Sequence, residues 1–267
     1  AAQLTASGSK RGAAIYLILQ RIFYSLDTTR HTKLLEELGI RPVDRLPVAN
    51  LKDSAGRIIV QQFFYGDKGG MEIYQTFLKR FTNANWKIEK KPYWTEVQAV
   101  KGLPVIIYSN LPLDEVTDLD EHAQDSLIVY LQSKGLEPTL SIHRGHSYSL
   151  PSTIEKLPYS SQLVLVGSCG GYQRLHDVLE SSPDAAIISS KQVGTGQINQ
   201  LLIDVICEQL RQGKDIYWPG LWKKLEGNFI GKSREAFRDY VPPYQNLGAL
   251  FIQAYRRALE PGAVINP

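Results

Sequence analysis

Apolar residues at Ile15, Leu17, Ile18, Ile22, Phe23 and Leu26 recur at spacings of three and four, the mark of a helix with one apolar stripe. The spacing predicts helix over 13–38, broken at Asp27-Thr28-Thr29 and resumed from Lys33 to Leu38 before Gly39. From Arg57 the period changes. Arg57–Tyr65 (RIIVQQFFY) is β-branched and aromatic, and Gly66-Asp67 stops it. Helical spacing returns over Gly70–Phe81, Asp118–Lys134 and Gln197–Arg211. Further strands are expected at Leu103–Tyr108, Pro138–His143, Gln162–Gly167 and Ala185–Ser189.

Strands that alternate with helices imply parallel βαβ units, and runs such as PVIIY and LVLVG, apolar on both faces, imply a sheet covered on both sides. The expected fold is an α/β protein, a three-layer α/β/α sandwich with a mostly parallel sheet. It takes up 56–267, and 1–55 reads as a short helical N-terminal segment and connector. In such sheets chemistry gathers at the carboxyl ends of the strands. Those ends carry Asp67, Ser109-Asn110, His143 to Ser147, Ser168 to Gly171 and Ser190 to Gly196.

Composition removes several classes. Among 267 residues, Lys+Arg 30 against Asp+Glu 27 leaves a net charge of +3, and no basic run is present, so nucleic acid is not an expected partner. No apolar run reaches the ~18 residues of a membrane span. Two cysteines, Cys169 and Cys207, exclude a disulfide framework and a four-cysteine zinc site. His143 and His146 have no Asp or Glu at ligand spacing, so no metal is expected, and without a P-loop no cofactor is expected either. Few cysteines suit a reducing compartment, and the reading leans to the cytoplasm. Residue 1 is Ala and Met71 is the only methionine, so the chain reads as a processed product or an excised piece, with export left open.

The third strand expected from Pro138 runs into Ser141-Ile142-His143-Arg144-Gly145-His146-Ser147, and the fourth into Val166-Gly167-Ser168-Cys169-Gly170-Gly171. If these strands are neighbours, a His and a Cys project from one sheet edge, as thiol nucleophilic catalysis requires. Glycines around Cys169 allow a tight turn and open space beside the sulfur, whereas Cys207 sits among Val205 and Ile206 like a core residue. The bland alternative for Cys169 is a small filler at a strand end. The string GSCGG also matches the hydrolase elbow G-x-nucleophile-x-G. That fold needs a late His. Only His176 follows, seven residues on and inside the next helix, so chain order excludes it.

With His first, PTLSIHRGHSY followed by QLVLVGSCGGY resembles the caspase-like cysteine peptidases, the group of caspases, gingipains, clostripain, legumain and separase. The resemblance covers roughly Arg57 to Ile203. It implies a caspase-like fold and a cysteine endopeptidase acting on a protein or peptide through a thioester acyl-enzyme, with His146 and Cys169 as the catalytic dyad. It implies an oxyanion hole from the backbone N–H of Cys169 with Ser147 or Gly170. In the family Gly follows the His; here Ser147 does, and Ser tolerates positive φ poorly. His143, three residues earlier, is the alternative imidazole, its other reading being a buried His bonded to backbone. His31, His122 and His176 fall on helices and read as surface residues.

By strand order, Asp67 matches the place of the family's primary pocket, which implies cleavage after Arg more than Lys. Its other reading is a cap for the following helix. The loop from Ser189 to Gly196, with Ser190 and Gln192, is expected to wall the cleft and pair with extended substrate. Tyr217, Trp218 and Trp222 shape the rim or pack in the core. The rival function is a catalytically inactive caspase-like scaffold or binding module, a reading favoured by Ser147. A nucleotide-binding domain finds no support in the glycine pattern.

Overall fold

The computed structural model describes residues 10–25 and 40–258. In chain order these form α1 (Lys10–Ser25), β1 (Arg45–Leu46), β2 (Ile58–Phe64), α2 (Gly70–Lys79), β3 (Trp86–Lys90), β4 (Trp94–Ala99), β5 (Val105–Asn110), α3 (Leu119–Ser133) and β6 (Leu140–Arg144). Then come α4 (Leu150–Glu155), β7 (Leu163–Val166), α5 (Leu175–Ser181), β8 (Ala186–Ser190), α6 (Gly196–Arg211), β9 (Ile216–Tyr217), α7 (Trp218–Glu226), α8 (Gly231–Arg238), β10 (Tyr240–Val241) and α9 (Leu247–Ala258).

Eight strands make one mixed sheet in the order β10-β8-β7-β6-β2-β5-β4-β3. The central five, β8 to β5, are parallel, and β10, β4 and β3 join antiparallel at the margins. The α/β class and the mostly parallel sheet expected from the hydrophobic pattern are therefore present. Alternate residues of the central strands face opposite cores. Ile58, Val60, Ile107, Ile142 and Leu165 pack with α2, α6, α7 and α8. Phe63, Val164, Val166 and Ile187 pack with α4, α5 and α9, and Ile59 and Tyr108 with α3. Helices thus cover both faces.

The antiparallel hairpin β3–β4 and the elements from β9 onward are not among those expected from the sequence. β3 (WKIEK) is the edge strand, and its Lys87, Glu89 and Lys90 are what a strand edge carries to resist further pairing. Alternation is weak in such a sequence. Trp218 and Trp222 lie in the main core, not at a rim, while Tyr217 is exposed.

The connector is sewn onto the body. β1 pairs with β9, and Leu46 and Leu51 enter the main core. Helix α1 covers the start of the stretch expected to be helical and packs Ile18 and Ile22 against Leu250 and Ala254 of α9. The expected helix at Lys33–Leu38, and His31, lie outside the described residues. No helix among the described residues is long and apolar enough to cross a membrane.

Candidate active site

From β2 the chain runs to the edge strand β3, steps back through β4 to β5 beside β2, and then crosses to the other side of β2 as β6. The strand order therefore reverses between β2 and β6, and the carboxyl end of such a switch point is the usual place for a ligand in an open parallel sheet. The β2 loop carries Asp67 and the β6 loop His146. On the next strand, β7, the chain runs on to Cys169. β6 and β7 pair Leu140 with Leu163 and Ile142 with Leu165. His146 and Cys169 continue that offset, each four residues past the last registered pair. Neighbouring parallel strands lie ~4.8 Å apart, so the loops that carry the two residues leave the sheet from adjacent positions at its carboxyl end. Both residues are exposed, and Cys169 is a free thiol.

Each loop is held by side chains that short motifs do not reveal. The end of β2 is clamped by Asn110. Its Oδ1 accepts from Phe64 N–H at 2.9 Å, and its Nδ2 donates to the Phe64 carbonyl at 2.8 Å. Gln124 Nε2 donates to the same carbonyl at 3.1 Å, and Asp120 Oδ2 accepts from Gly66 N–H at 3.0 Å. Asp67 follows directly, with its side chain 2% exposed and Oδ2 4.0 Å from His146 Nε2. Burial raises its pKa above the usual carboxylate range, and His146 opposes that shift. The N-cap of α2 is Gly69, so Asp67 is not the capping residue itself, although the Gly70 amide also faces its carboxylate.

His143 and His146 separate cleanly. His143 is 1% exposed. Its Nε2 faces the carbonyls of Gly145 at 3.1 Å and His146 at 3.2 Å, which only accept, so Nε2 carries the proton. Nδ1 then accepts from Thr153 Oγ1 at 2.7 Å, and Thr153 accepts in turn from the Tyr65 hydroxyl at 2.7 Å. His143 is a neutral strut that holds the backbone carbonyl of His146, as its buried reading implied. Burial pushes its pKa down to about 4. In the unfolded chain a His titrates near ~6.5. The unfolded state therefore binds the extra proton first as pH falls. The strut's contribution is present above pH ~6.5 and is lost as pH falls to about 4, a difference of about 3 kcal/mol. In urea unfolding, the stability gap between wild type and His143→Gln should narrow by that amount over this window. A gap independent of pH would rule out a neutral buried His143.

The Cys169 turn depends on its glycines for different reasons, and at Gly171 a Cβ would fall onto the Val166 carbonyl. Gly170 has φ +67°, a left-handed conformation that side chains resist. At Gly167 a Cβ would fall onto Asn199 Oδ1. Asn199 Nδ2 donates to the Gly167 carbonyl at 3.1 Å. The Tyr240 hydroxyl accepts from Thr195 N–H at 2.8 Å and donates to Asn199 Oδ1 at 3.0 Å. Asn199 and Tyr240 are thus structural parts of the site, and only the close approach at Gly167 signals Asn199. Gly167→Ala should cost ~2 kcal/mol through this overlap. Unchanged unfolding in denaturant would contradict the packing.

The expected oxyanion donors divide. Gly170 N–H donates to the Gln192 carbonyl at 2.8 Å, so it is already committed, and so is the Gln192 carbonyl. The N–H groups of Cys169 and Ser147 have no acceptor among the described residues. Ser147 begins a 3-10 turn over Ser147–Ser149, and the only non-glycine residue at positive φ among the described residues is Asp118. Ser147 is therefore not at positive φ, the conformation that Ser tolerates poorly.

The β8 loop also differs from expectation. Ser190 is fully buried and pairs with Tyr240 of β10, while Lys191 N–H donates to the Asp239 carbonyl at 2.9 Å. This edge is covered by the chain's own β10 and is not open to substrate backbone. The Gln192 and Val193 side chains are exposed beside the Cys169 turn.

Beneath that turn Arg144 is 4% exposed, and its Nη2 donates to Gln200 Oε1 at 3.4 Å. Burial lowers its pKa to about 10, opposed by Tyr240 and Asp204. Cys207 is buried in α6, and burial pushes its thiol pKa up, away from a reactive thiolate. His122 and His176 are exposed. Among the described residues no group of three or more His, Cys, Asp and Glu is placed to hold a metal ion. No family model, curated protein or solved structure matches the chain.

Proposed function

We propose that the protein is a cysteine endopeptidase of the caspase-like type, with Cys169 as nucleophile and His146 as acid and base. One observation carries the reading. An exposed free thiol and an exposed imidazole lie in the loops that follow two adjoining parallel strands, and the backbone N–H groups of Cys169 and Ser147 in those loops are uncommitted.

The Cys169 sulfur attacks the peptide carbonyl as its proton passes to His146. The new C–S bond gives a tetrahedral oxyanion, which the N–H groups of Cys169 and Ser147 receive, each donor worth ~3 kcal/mol. The C–N bond then breaks as His146 returns the proton to the leaving amine. Water, deprotonated by His146, attacks the thioester, and collapse releases the acid and regenerates the thiol.

The scaffold reading leaned on Ser147. Its uncommitted N–H at unstrained φ removes that support. A peptide-library cleavage profile is the test. Cleavage by wild type and none by the Cys169 variant supports a peptidase, and no cleavage of any sequence supports a scaffold. The profile also reads specificity. Preference for Arg over Lys is expected if the Asp67 carboxylate reaches the substrate, and no basic preference if His146 alone occupies it.

A further inference from the structure

We infer that Asp67 is the positioning residue of His146, which turns the His–Cys pair into a Cys169–His146–Asp67 relay. The inference rests on the peptidase reading for its catalytic consequence, although the contact itself stands apart from it. Three observations converge. Asp67 Oδ2 lies 4.0 Å from His146 Nε2, an ion-pair separation. That oxygen is buried with no hydrogen-bond partner in direct reach, the carboxylate being approached otherwise by the backbone amides of His146 and Gly70, and a buried acceptor is costly to leave unmatched. The Asp67 loop is also fixed in place by Asn110, Gln124 and Asp120, none of which touches substrate in this reading.

An exposed imidazole otherwise turns freely about its side-chain bonds. Here Tyr148 stacks on the ring, with centroids 5.6 Å apart and an interplanar angle of 15°. The stacked Tyr148 limits the plane of the ring, and the carboxylate selects which edge faces inward. A carboxylate can only accept. It therefore keeps the proton on Nε2 and leaves Nδ1 as the nitrogen that takes the thiol proton and returns it to the amine. Separations at such sites shorten when substrate excludes water. Lys68, next in the loop, is exposed, and two further acidic groups lie near. Asp120 on α3 acts on Asp67, and Glu115 Oε2 lies 3.5 Å from the Tyr148 hydroxyl. Among the described residues, Asp67 is the carboxylate within 4.0 Å of that imidazole.

The test uses the full chain, Asp67→Asn and Asp67→Ala, with three measurements. Steady-state kinetics on peptides with Arg, Ala and Leu before the cut should show kcat reduced about a hundred-fold in Asp67→Ala, equally for all three, with KM within about three-fold. Asp67→Asn keeps an acceptor oxygen and should lose less. Nitrogen-15 NMR of the imidazoles, assigned with His146→Gln, should show the Nε2–H tautomer of His146 in wild type and a mixture in Asp67→Ala. Thermal unfolding should be unchanged within a few degrees. Loss confined to Arg substrates overturns the proposal in favour of a specificity pocket. A large fall in Tm with unchanged tautomer overturns it in favour of a loop-stabilising role. The NMR result does not depend on turnover, so a protein without peptidase activity still decides whether Asp67 orients His146.

Discussion

Cys169→Ala is expected to abolish peptide cleavage, a loss on the order of 10⁴-fold or more, with no measurable change in unfolding. The fold has little stake in the sulfur. Cys169 is exposed, and the turn around it is held by Gly167, Asn199 and Tyr240 through contacts that do not involve its side chain. Cys207 is the internal control. It is fully buried in α6 among core residues, and burial disfavours its thiolate. Iodoacetamide should therefore label wild type once, at Cys169, and label the alanine variant not at all under native conditions. Equal labelling of both cysteines, or cleavage that survives the substitution, would end the nucleophile assignment.

The second large effect separates the two histidines of the β6 loop. His146→Ala should lower kcat by about 10²- to 10⁴-fold, because proton transfer to the leaving amine is lost. Its side chain is 56% exposed, so unfolding should hardly change. His143→Ala should do the reverse in order of cause. It removes a fully buried ring and leaves Thr153 and two carbonyls without their partner, a cost of ~3 kcal/mol. For a chain of this size that is a fall in Tm of roughly 6–12 °C. Activity then falls only through displacement of His146. A His146 variant that unfolds early and keeps its turnover, or a His143 variant of full stability, would exchange or cancel these roles.

Asp67, read from strand order as a pocket carboxylate, shows how local sequence and global placement part. Strand order puts it correctly at the mouth of the β2 loop. What it faces depends on β6 lying beside β2 and on Asn110, Gln124 and Asp120 gripping the loop from β5 and α3. Those partners lie 46, 60 and 54 residues away from the groups they bind. No periodicity encodes contacts at such distances. The same holds for Ser190, where a run ending AIISS predicts a strand but not that β10, from 50 residues further along, covers its edge.

The sequence by itself determined the alternation of strands and helices, the parallel core and the presence of His146 and Cys169 at strand ends. Those follow from side-chain period and apolar runs, which are local and repeat over many residues. Even the equal offset of His146 and Cys169 becomes meaningful only once β6 and β7 are known to be neighbours. Tertiary structure alone decided that His143 is a buried strut, that Gly170 N–H is committed to Gln192, that Trp218 and Trp222 belong to the core, and that Asp67 meets His146. The physical reason is common to all four. Each is a question of which partner satisfies a polar or apolar group, and the partner comes from another element whose position only the packed sheet fixes.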